Sequence, residues 1–336
     1  MFSNLAIAYL FLGGSGAGLC LLFTFLSFNV PREFITVVAP WRVKSLLGRR
    51  HLRGRVLEYF TCPRHFSRLF SHGYFMGCAV MALGALCLLL DLGKIDAAHL
   101  LFTSPHMSFI AFGSWVLAFS IILSFALSVI WIANMRVPYM LLQMFTAITS
   151  VFMIATVGYT GFLVAAMPSV PLWNSPYIPP IFIASSLSCG TAHAVLLEAE
   201  LGYLSVFKNA IICITKIDSV IIVLEIVLIL AYSFWAGEYS QLYNESLVMT
   251  DNETTNALIL SSYELFYGQR AGLFIGIMFV GGLILPFVLD FIVLRIKTSW
   301  RTSYALVFSS VCVLVGGFML RYCIVMAGMQ PMFGAM

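Results

Sequence analysis

The chain has 336 residues, of which 61% are hydrophobic and 10% charged, and its 18 Lys and Arg residues exceed its 14 Asp and Glu residues by a net charge of +4. Soluble domains average about 45–50% apolar and about 25% charged residues, so this composition excludes a water-soluble enzyme. It also excludes a nucleic-acid-binding protein, because so few cationic residues cannot form a large basic face. We therefore predict an integral membrane protein.

Apolar segments long enough to cross a bilayer core, which takes about 20 helical residues, recur along the whole sequence. The eight predicted spans cover residues 4–28, 69–90, 106–133, 138–166, 178–204, 218–236, 271–294 and 303–327. Long runs of Leu, Ile, Phe, Met and Ala favour helices over the short alternating strands of a membrane barrel. We expect an all-α fold of two four-helix bundles, residues 1–167 and residues 168–336.

The distribution of positive charge orients these spans. Fifteen of the 18 Lys and Arg residues lie on alternate loops, nine of them within residues 29–68. Such loops remain on the inner side of the membrane, so both termini are predicted to lie outside. This assignment leaves Lys94, Arg270 and Arg321 on the outer side.

Four polar side chains on the first four spans lie near the outer membrane boundary. Tyr9 is about 7 Å deep in span 1 and Tyr159 is about 10 Å deep in span 4. Asp91 ends span 2 and His106 begins span 3, just above the two tyrosines. Interfacial tyrosines also serve as belt residues, and Asp91 can be a simple helix-end residue. The coincidence of four such residues in one bundle favours a functional site.

The second bundle carries carboxylates in the inner part of its spans, namely Glu198, Glu225 and Asp290. Ionisable residues inside a membrane are costly and indicate function, so a proton path is one interpretation. Pairing with cations near the inner boundary is the other, through Lys208, Lys216 or Arg295. Glu225 is about 10 Å from the inner surface and cannot easily reach it.

The histidines and cysteines argue against a metal centre in this subunit. No two of the six histidines share a depth on neighbouring spans, as a haem with two histidine ligands requires. The eight cysteines are scattered and form no CxxC pair. This pattern favours buried apolar cysteines over an iron–sulfur cluster, a zinc site or a disulfide framework.

Small residues and prolines mark two further segments. Gly14 and Gly18 lie four residues apart on one face of span 1, a spacing typical of close helix packing. The outer segment 171–180 contains four prolines and cannot be helical throughout. It leads into Ser185 and the serines that follow it in span 5.

Taken in order, four blocks of sequence resemble the NrfD/polysulfide reductase membrane-subunit family. The blocks are YLFLGGSGAG at 9–18, LDLGK at 90–94 with SPHMS at 104–108 and GSW at 113–115, GYTG at 158–161, and PLWNSP at 171–176 with SSLSCG at 185–190. They cover most of residues 5–200. The resemblance implies a membrane subunit of a respiratory oxidoreductase complex, in the plasma membrane of a bacterium or archaeon.

The resemblance also implies a quinone, such as menaquinone, bound near the outer face between Tyr9 and Tyr159. Gly14 and Ser185 are further candidate contacts. Asp91 and His106 are candidates for passing protons to the outer water, because phenols are weak bases.

The partners that the resemblance implies are a ferredoxin-like iron–sulfur subunit and a molybdopterin catalytic subunit on the outer side. We expect docking through residues 91–106 and 168–180, with electrons leaving directly to the partner because this subunit is expected to hold no haem or cluster. A secondary transporter and a structural anchor without a quinone are the alternatives. A transporter would usually show paired repeats with broken helices near the midplane.

Overall fold

The computed structural model describes residues 3–28, 35–38, 57–60, 64–91, 109–133, 138–202, 207–244, 253–295 and 300–333. Helices dominate it. They are α1 (Asn4–Phe28), α2 (Arg64–Asp91), α3 (Phe109–Ile132), α4 (Tyr139–Ala165), α5 (Ile178–Glu200), α6 (Lys208–Asn244), α7 (Glu253–Phe266), the π-helical segment π1 (Leu273–Ile284) that continues into α8 (Leu285–Arg295), and α9 (Trp300–Phe333). Two strands, β1 (Ile35–Val38) and β2 (Leu57–Phe60), complete the described elements.

Seven helical segments of the described residues are long and apolar enough to cross a membrane. They are Asn4–Phe28, His65–Asp91, Ala111–Ile132, Tyr139–Ala165, Ile178–Glu200, Leu273–Arg295 and Tyr304–Met329. The predicted multi-pass membrane fold is therefore confirmed, and each of these segments overlaps a predicted span. The remaining span, residues 218–236, lies within the 37-residue helix α6, which is not among the seven. The count of eight and the outward termini stay predictions.

Two segments that the sequence analysis treated as loops contain regular structure. In the inner loop 29–68, β1 and β2 pair antiparallel, with Ile35 opposite Phe60. The β-branched run Ile-Thr-Val-Val of β1 suits a strand, so the fold is not purely helical. In the outer loop 237–270, α7 buries Leu258, Ser262 and Leu265 at helical spacing. The two strands and α7 are too short to cross a membrane.

Helices α1 and α5 lie at the centre of the molecule. The apolar windows of these two helices are 72% and 78% buried, whereas those of α2, α3 and α4 are 33–39% buried and present more of their surface to lipid. Helix α1 contacts α2, α4, α5 and α9, and so joins the two halves of the molecule.

Glycines allow α1 and α5 to meet backbone to backbone. A Cβ atom at Gly18 would overlap the carbonyl oxygen of Ser186, and one at Gly190 would overlap the backbone of Gly18. The glycine spacing in span 1 therefore does what the sequence predicted, since close approach of two helices requires small residues at the contact.

Candidate functional site

The structure brings Tyr9 and Tyr159 together, as their matched depths predicted. Their exposed fractions are 2% and 5%, and their phenol groups lie close enough to interact with each other. The ring of Tyr159 rests on helix α3 at Gly113, where a Cβ atom would overlap the ring carbons. Gly113 thus makes room for Tyr159 at the contact between α3 and α4, a role that the sequence analysis did not assign to it.

An apolar groove of about 500 Å³ lies beside Tyr159. Its walls come from four helices, with Leu21 of α1, Phe112 of α3, Gly158 and Tyr159 of α4, and Leu187 of α5 among the lining residues. The volume falls within the range of about 300–1,000 Å³ usual for small-molecule sites. The groove is therefore large enough for an apolar ring and part of a tail.

Asp91 lies beside the start of α1, at the end of the molecule that is predicted to face outward. It ends α2 and accepts a hydrogen bond from the hydroxyl of Ser3. Ser3 in turn caps α1, accepting hydrogen bonds from the backbone amides of Leu5 and Ala6 at 3.0 and 3.3 Å. Tyr9 follows Ser3 by six residues, which corresponds to a helix rise of about 9 Å. His106, the other predicted proton carrier, lies outside the described residues.

A fully buried arginine occupies the junction of α1, α5 and α9. Arg321 has an exposed fraction of 0% and lies within the apolar segment Tyr304–Met329. Its guanidinium donates hydrogen bonds to Ser185 Oγ at 3.2 Å, Ser186 Oγ at 2.7 Å and the Gly317 carbonyl at 2.8 Å. The sequence analysis counted Arg321 among the cations of the outer side and did not predict its burial, because the serines that hold it are distant in sequence.

Two predicted quinone contacts, Gly14 and Ser185, lie beside this arginine and are not among the residues that line the groove. Ser185 accepts its hydrogen bond, and a Cβ atom at Gly14 would lie 3.2 Å from Arg321 Nη2. The guanidinium also lies 5.3 Å from the ring centroid of Phe182 and 5.7 Å from that of Phe11. Aromatic faces at these distances stabilise a cation.

Buried carboxylates continue from Arg321 along α6. Glu225 is 3% exposed, lies close to the Ser185 hydroxyl and interacts electrostatically with Arg321. Asp218 lies two helical turns from Glu225 and accepts hydrogen bonds from Ser188 Oγ and Thr191 Oγ1 at 3.0 and 2.6 Å. These contacts align α5 and α6 antiparallel, with the acids of α6 facing the hydroxyls of α5.

The other two predicted acids are buried as well. Asp290 on α8 accepts a hydrogen bond from Ser309 Oγ at 2.9 Å and lies within electrostatic range of Asp218. Glu198 is 1% exposed, and one of its carboxylate oxygens has no hydrogen-bond partner among the described residues.

The alternative interpretation, in which these acids pair with inner cations, has no such pair among the described side chains to support it. Arg295 lies over the ring of Phe291, with 5.2 Å between the guanidinium carbon and the ring centroid, and Lys216 is exposed. An ion pair joins Arg270 to Glu264 at 3.1 Å. The side chain of Lys208 lies outside the described residues.

Sequence reasoning missed Asp218 and Arg321 as members of the buried polar network. The signal for Asp218 was its spacing of seven residues from Glu225, which places both on one face of a helix. Within the described residues, no group of three or more His, Cys, Asp or Glu side chains is placed to hold a metal ion.

Comparison with known proteins agrees with the resemblance noted in the sequence. The family model described as "Polysulphide reductase, NrfD" matches residues 56–332, which is most of the protein. The C subunit of polysulfide reductase from Wolinella succinogenes is 28% identical over 193 residues, covering 57% of this protein and 56% of the relative. An NrfD homolog of Haemophilus influenzae is 28% identical over 179 residues, covering 53% and 50%.

The protein spans about half the length of the curated relatives it matches. The family model, by contrast, extends across both halves of the structure, from the strand β2 to the end of α9. Its match and the membrane helices together identify the protein as an integral membrane protein that belongs to the polysulphide reductase, NrfD family.

Proposed function

We propose that the protein is the quinol-oxidising, or quinone-reducing, membrane subunit of a respiratory oxidoreductase complex. The observation that carries the proposal is the buried pair of Tyr9 and Tyr159, of which Tyr159 lines the wall of an apolar groove. Membership of the family and the similarity to a polysulfide reductase subunit support it.

A quinone fits this place by its chemistry. The groove suits an apolar ring and tail, and tyrosine hydroxyls can both donate and accept hydrogen bonds at the ring oxygens. A bound quinol supplies two electrons and two protons. In this proposal Tyr9 and Tyr159 orient the ring oxygens. Asp91, with His106, passes the protons to the outer water, because a carboxylate or imidazole is a better base than a phenol.

The electrons then leave to an iron–sulfur cluster in a partner subunit docked on the outer face, and a molybdopterin subunit carries the terminal reduction. The segment before α5 suits such docking because several of its residues are exposed while a buried tryptophan holds the segment to α9. Pro168, Ser169 and Asn174 are exposed. Trp173 is buried, and its indole N–H donates to the Ile324 carbonyl of α9 at 3.0 Å.

Replacing Tyr9 or Tyr159 with Phe tests the proposal. Each variant loses one hydroxyl that would hold a ring oxygen, so quinol-dependent turnover of the complex is expected to fall at least about tenfold, or about 1.4 kcal/mol in activation free energy. Quinol oxidation by membranes or purified complex measures the effect, and immunoblotting of the partner subunits checks that assembly is intact.

The matched control is Tyr139→Phe, which removes a hydroxyl at the start of α4, outside the groove and outside the predicted docking segments. Wild-type turnover in both Tyr9→Phe and Tyr159→Phe would contradict the proposal. Lipid extraction and mass spectrometry of the purified complex provide a second test, because a transporter or a purely structural anchor would carry no stoichiometric quinone.

We further propose that the buried acids of the second half form a proton path toward the inner side. The path comprises Glu225, Asp218, Asp290 and Glu198. The support is that each acid is at most 8% exposed, and that Glu225 and Asp218 are linked to hydroxyls of α5. A buried series of ionisable groups of this kind is costly in a membrane, which favours a functional reason for it.

Glu225→Gln is expected to lower the proton-to-electron ratio in proteoliposomes, because an amide cannot release and rebind a proton. Quinol turnover and pH change recorded together measure it. Glu238→Gln serves as the control, since Glu238 is exposed on the same helix. Wild-type turnover and an unchanged ratio in Glu225→Gln would make Glu225 a structural residue.

A further inference from the structure

We infer that the protein binds internal water between the end of α1 and the start of α2, at the hydroxyls of Tyr74, Ser71 and Ser27. Tyr74 and Ser71 are 0% and 2% exposed, and neither hydroxyl has a hydrogen-bond partner among the described residues. A buried hydroxyl without a partner is costly, and internal water molecules commonly supply the missing hydrogen bonds, with about three each. The inference does not depend on the proposed function.

Helices α1 and α2 run antiparallel, and their contacts show which residues share a level. A Cβ atom at Gly77 would meet Cys20 Sγ, and one at Gly73 would meet the ring of Phe23. The chain therefore descends along α1 as it ascends along α2. Ser27, one turn beyond Phe23, consequently lies opposite the turn of α2 that precedes Gly73.

The side chain of Tyr74 brings its hydroxyl to this same level. Long side chains of a helix point back over the turn that precedes them, and in α2 that turn carries Ser71. The phenol of Tyr74 lies close enough to the Ser27 hydroxyl to interact with it, yet the two do not meet hydrogen-bond geometry. A water molecule between them can donate to one hydroxyl and accept from the other.

The polar groups around this point are neutral, which determines the kind of ligand. Besides Ser27, the thiol of Cys20 lies within electrostatic range of Tyr74. Ser71 is held at the contact with α3, because its carbonyl accepts a hydrogen bond from Ser128 Oγ at 3.0 Å. Hydroxyls both donate and accept, so their ligand must do both and needs no counterion. Water has this chemistry.

Aromatic rings enclose the site. Phe70 stacks on Trp131 with 4.7 Å between the ring centroids, and Phe23 lies 5.6 Å from Phe70 and 6.0 Å from Tyr74. These four side chains are at most 4% exposed. Water held beside them is therefore separated from lipid and from bulk solvent, and belongs to the folded structure.

The sign of one stability change tests the inference. If the Tyr74 hydroxyl binds water, Tyr74→Phe deletes a hydrogen bond, and the unfolding equilibrium constant of the detergent-solubilised full-length protein is expected to rise about two- to tenfold. If the hydroxyl is dry, Phe removes an unpaired polar group and the constant falls, which overturns the inference. Tyr232→Phe is the matched control, because Tyr232 is also 0% exposed and donates to the Leu172 carbonyl at 3.5 Å.

Hydroxyl-radical footprinting by brief X-ray irradiation locates the water directly, because radicals formed from bound water oxidise the side chains beside it. We expect Tyr74 to be oxidised at least about threefold faster than Tyr232, as measured by mass spectrometry of peptides. Equal rates at the two tyrosines overturn the inference. A double variant of Tyr74→Phe and Ser71→Ala should lose less stability than the sum of the single losses, since both hydroxyls bind the same water. Strictly additive losses overturn the shared site.

Discussion

Replacing Arg321 with Met is expected to destabilise the folded subunit by at least about 3 kcal/mol. The variant loses three hydrogen bonds from a charged donor and two contacts with aromatic faces, and it leaves the hydroxyl of Ser186 without its cation. Unfolding of the detergent-solubilised protein, followed by tryptophan fluorescence against denaturant, measures the change.

Two further variants show which interactions of Arg321 contribute to the free energy of unfolding. Arg321→Lys keeps the charge but cannot reach Ser185, Ser186 and the Gly317 carbonyl together, so an intermediate stability is expected. Glu225→Gln removes the nearby carboxylate. If Arg321 and Glu225 are coupled, the double variant will be more stable than the sum of the single losses predicts. Stability equal to wild type in Arg321→Met would show that the buried charge contributes nothing to the fold.

Gly190→Ala is expected to cost about 3 kcal/mol, although it adds a single methyl group. The new Cβ atom would overlap the backbone of Gly18 and lie 2.5 Å from the Leu19 nitrogen. Backbone atoms, unlike those of flexible side groups, cannot rotate away, so α1 and α5 must separate. The same denaturant titration measures the loss, and size-exclusion chromatography reports whether the separated helices lead to aggregation.

Gly237→Ala on α6 is the control for this change. A Cβ atom there meets nothing within 4 Å, and Ala in place of Gly within a helix is usually stabilising by about 0.5–1 kcal/mol. The two exchanges should thus have opposite signs. Equal effects would mean that helix propensity, and not the α1–α5 contact, determines the stability of Gly190 variants.

The membrane spans were predictable because each span is recognised from the hydropathy of its own residues, without knowledge of its contacts. Each of the seven apolar helices overlaps a span read from the sequence, and most ends agree within a few residues. The strands β1 and β2 and the helix α7 were missed, because elements of four to 14 residues leave little trace in hydropathy. Their formation depends on contacts that the polypeptide makes only after it folds.

The part of the candidate site that depends only on the depth of residues in the membrane was predictable from the sequence. Counting residues from the membrane boundary placed Tyr9 and Tyr159 together, since helices have a constant rise. Depth does not reveal which face of a helix a residue occupies. Depth thus predicted Gly14 and Ser185 as quinone contacts but did not predict that Ser185 bonds to Arg321 or that Gly14 lies beside this arginine. The partners of Arg321 on α5 precede it by 135 and 136 residues, and no local pattern connects them.

The burial of Arg321 has a consequence for the biogenesis of the protein. An arginine at the centre of a membrane helix costs about 2.5–3.5 kcal/mol on insertion scales, and α9 is the last of the described helices to be synthesised. By then Ser185 and Ser186 are already within the bilayer as part of α5. We therefore expect the integration of α9 to depend on the earlier helices, which offer hydroxyl partners to its arginine.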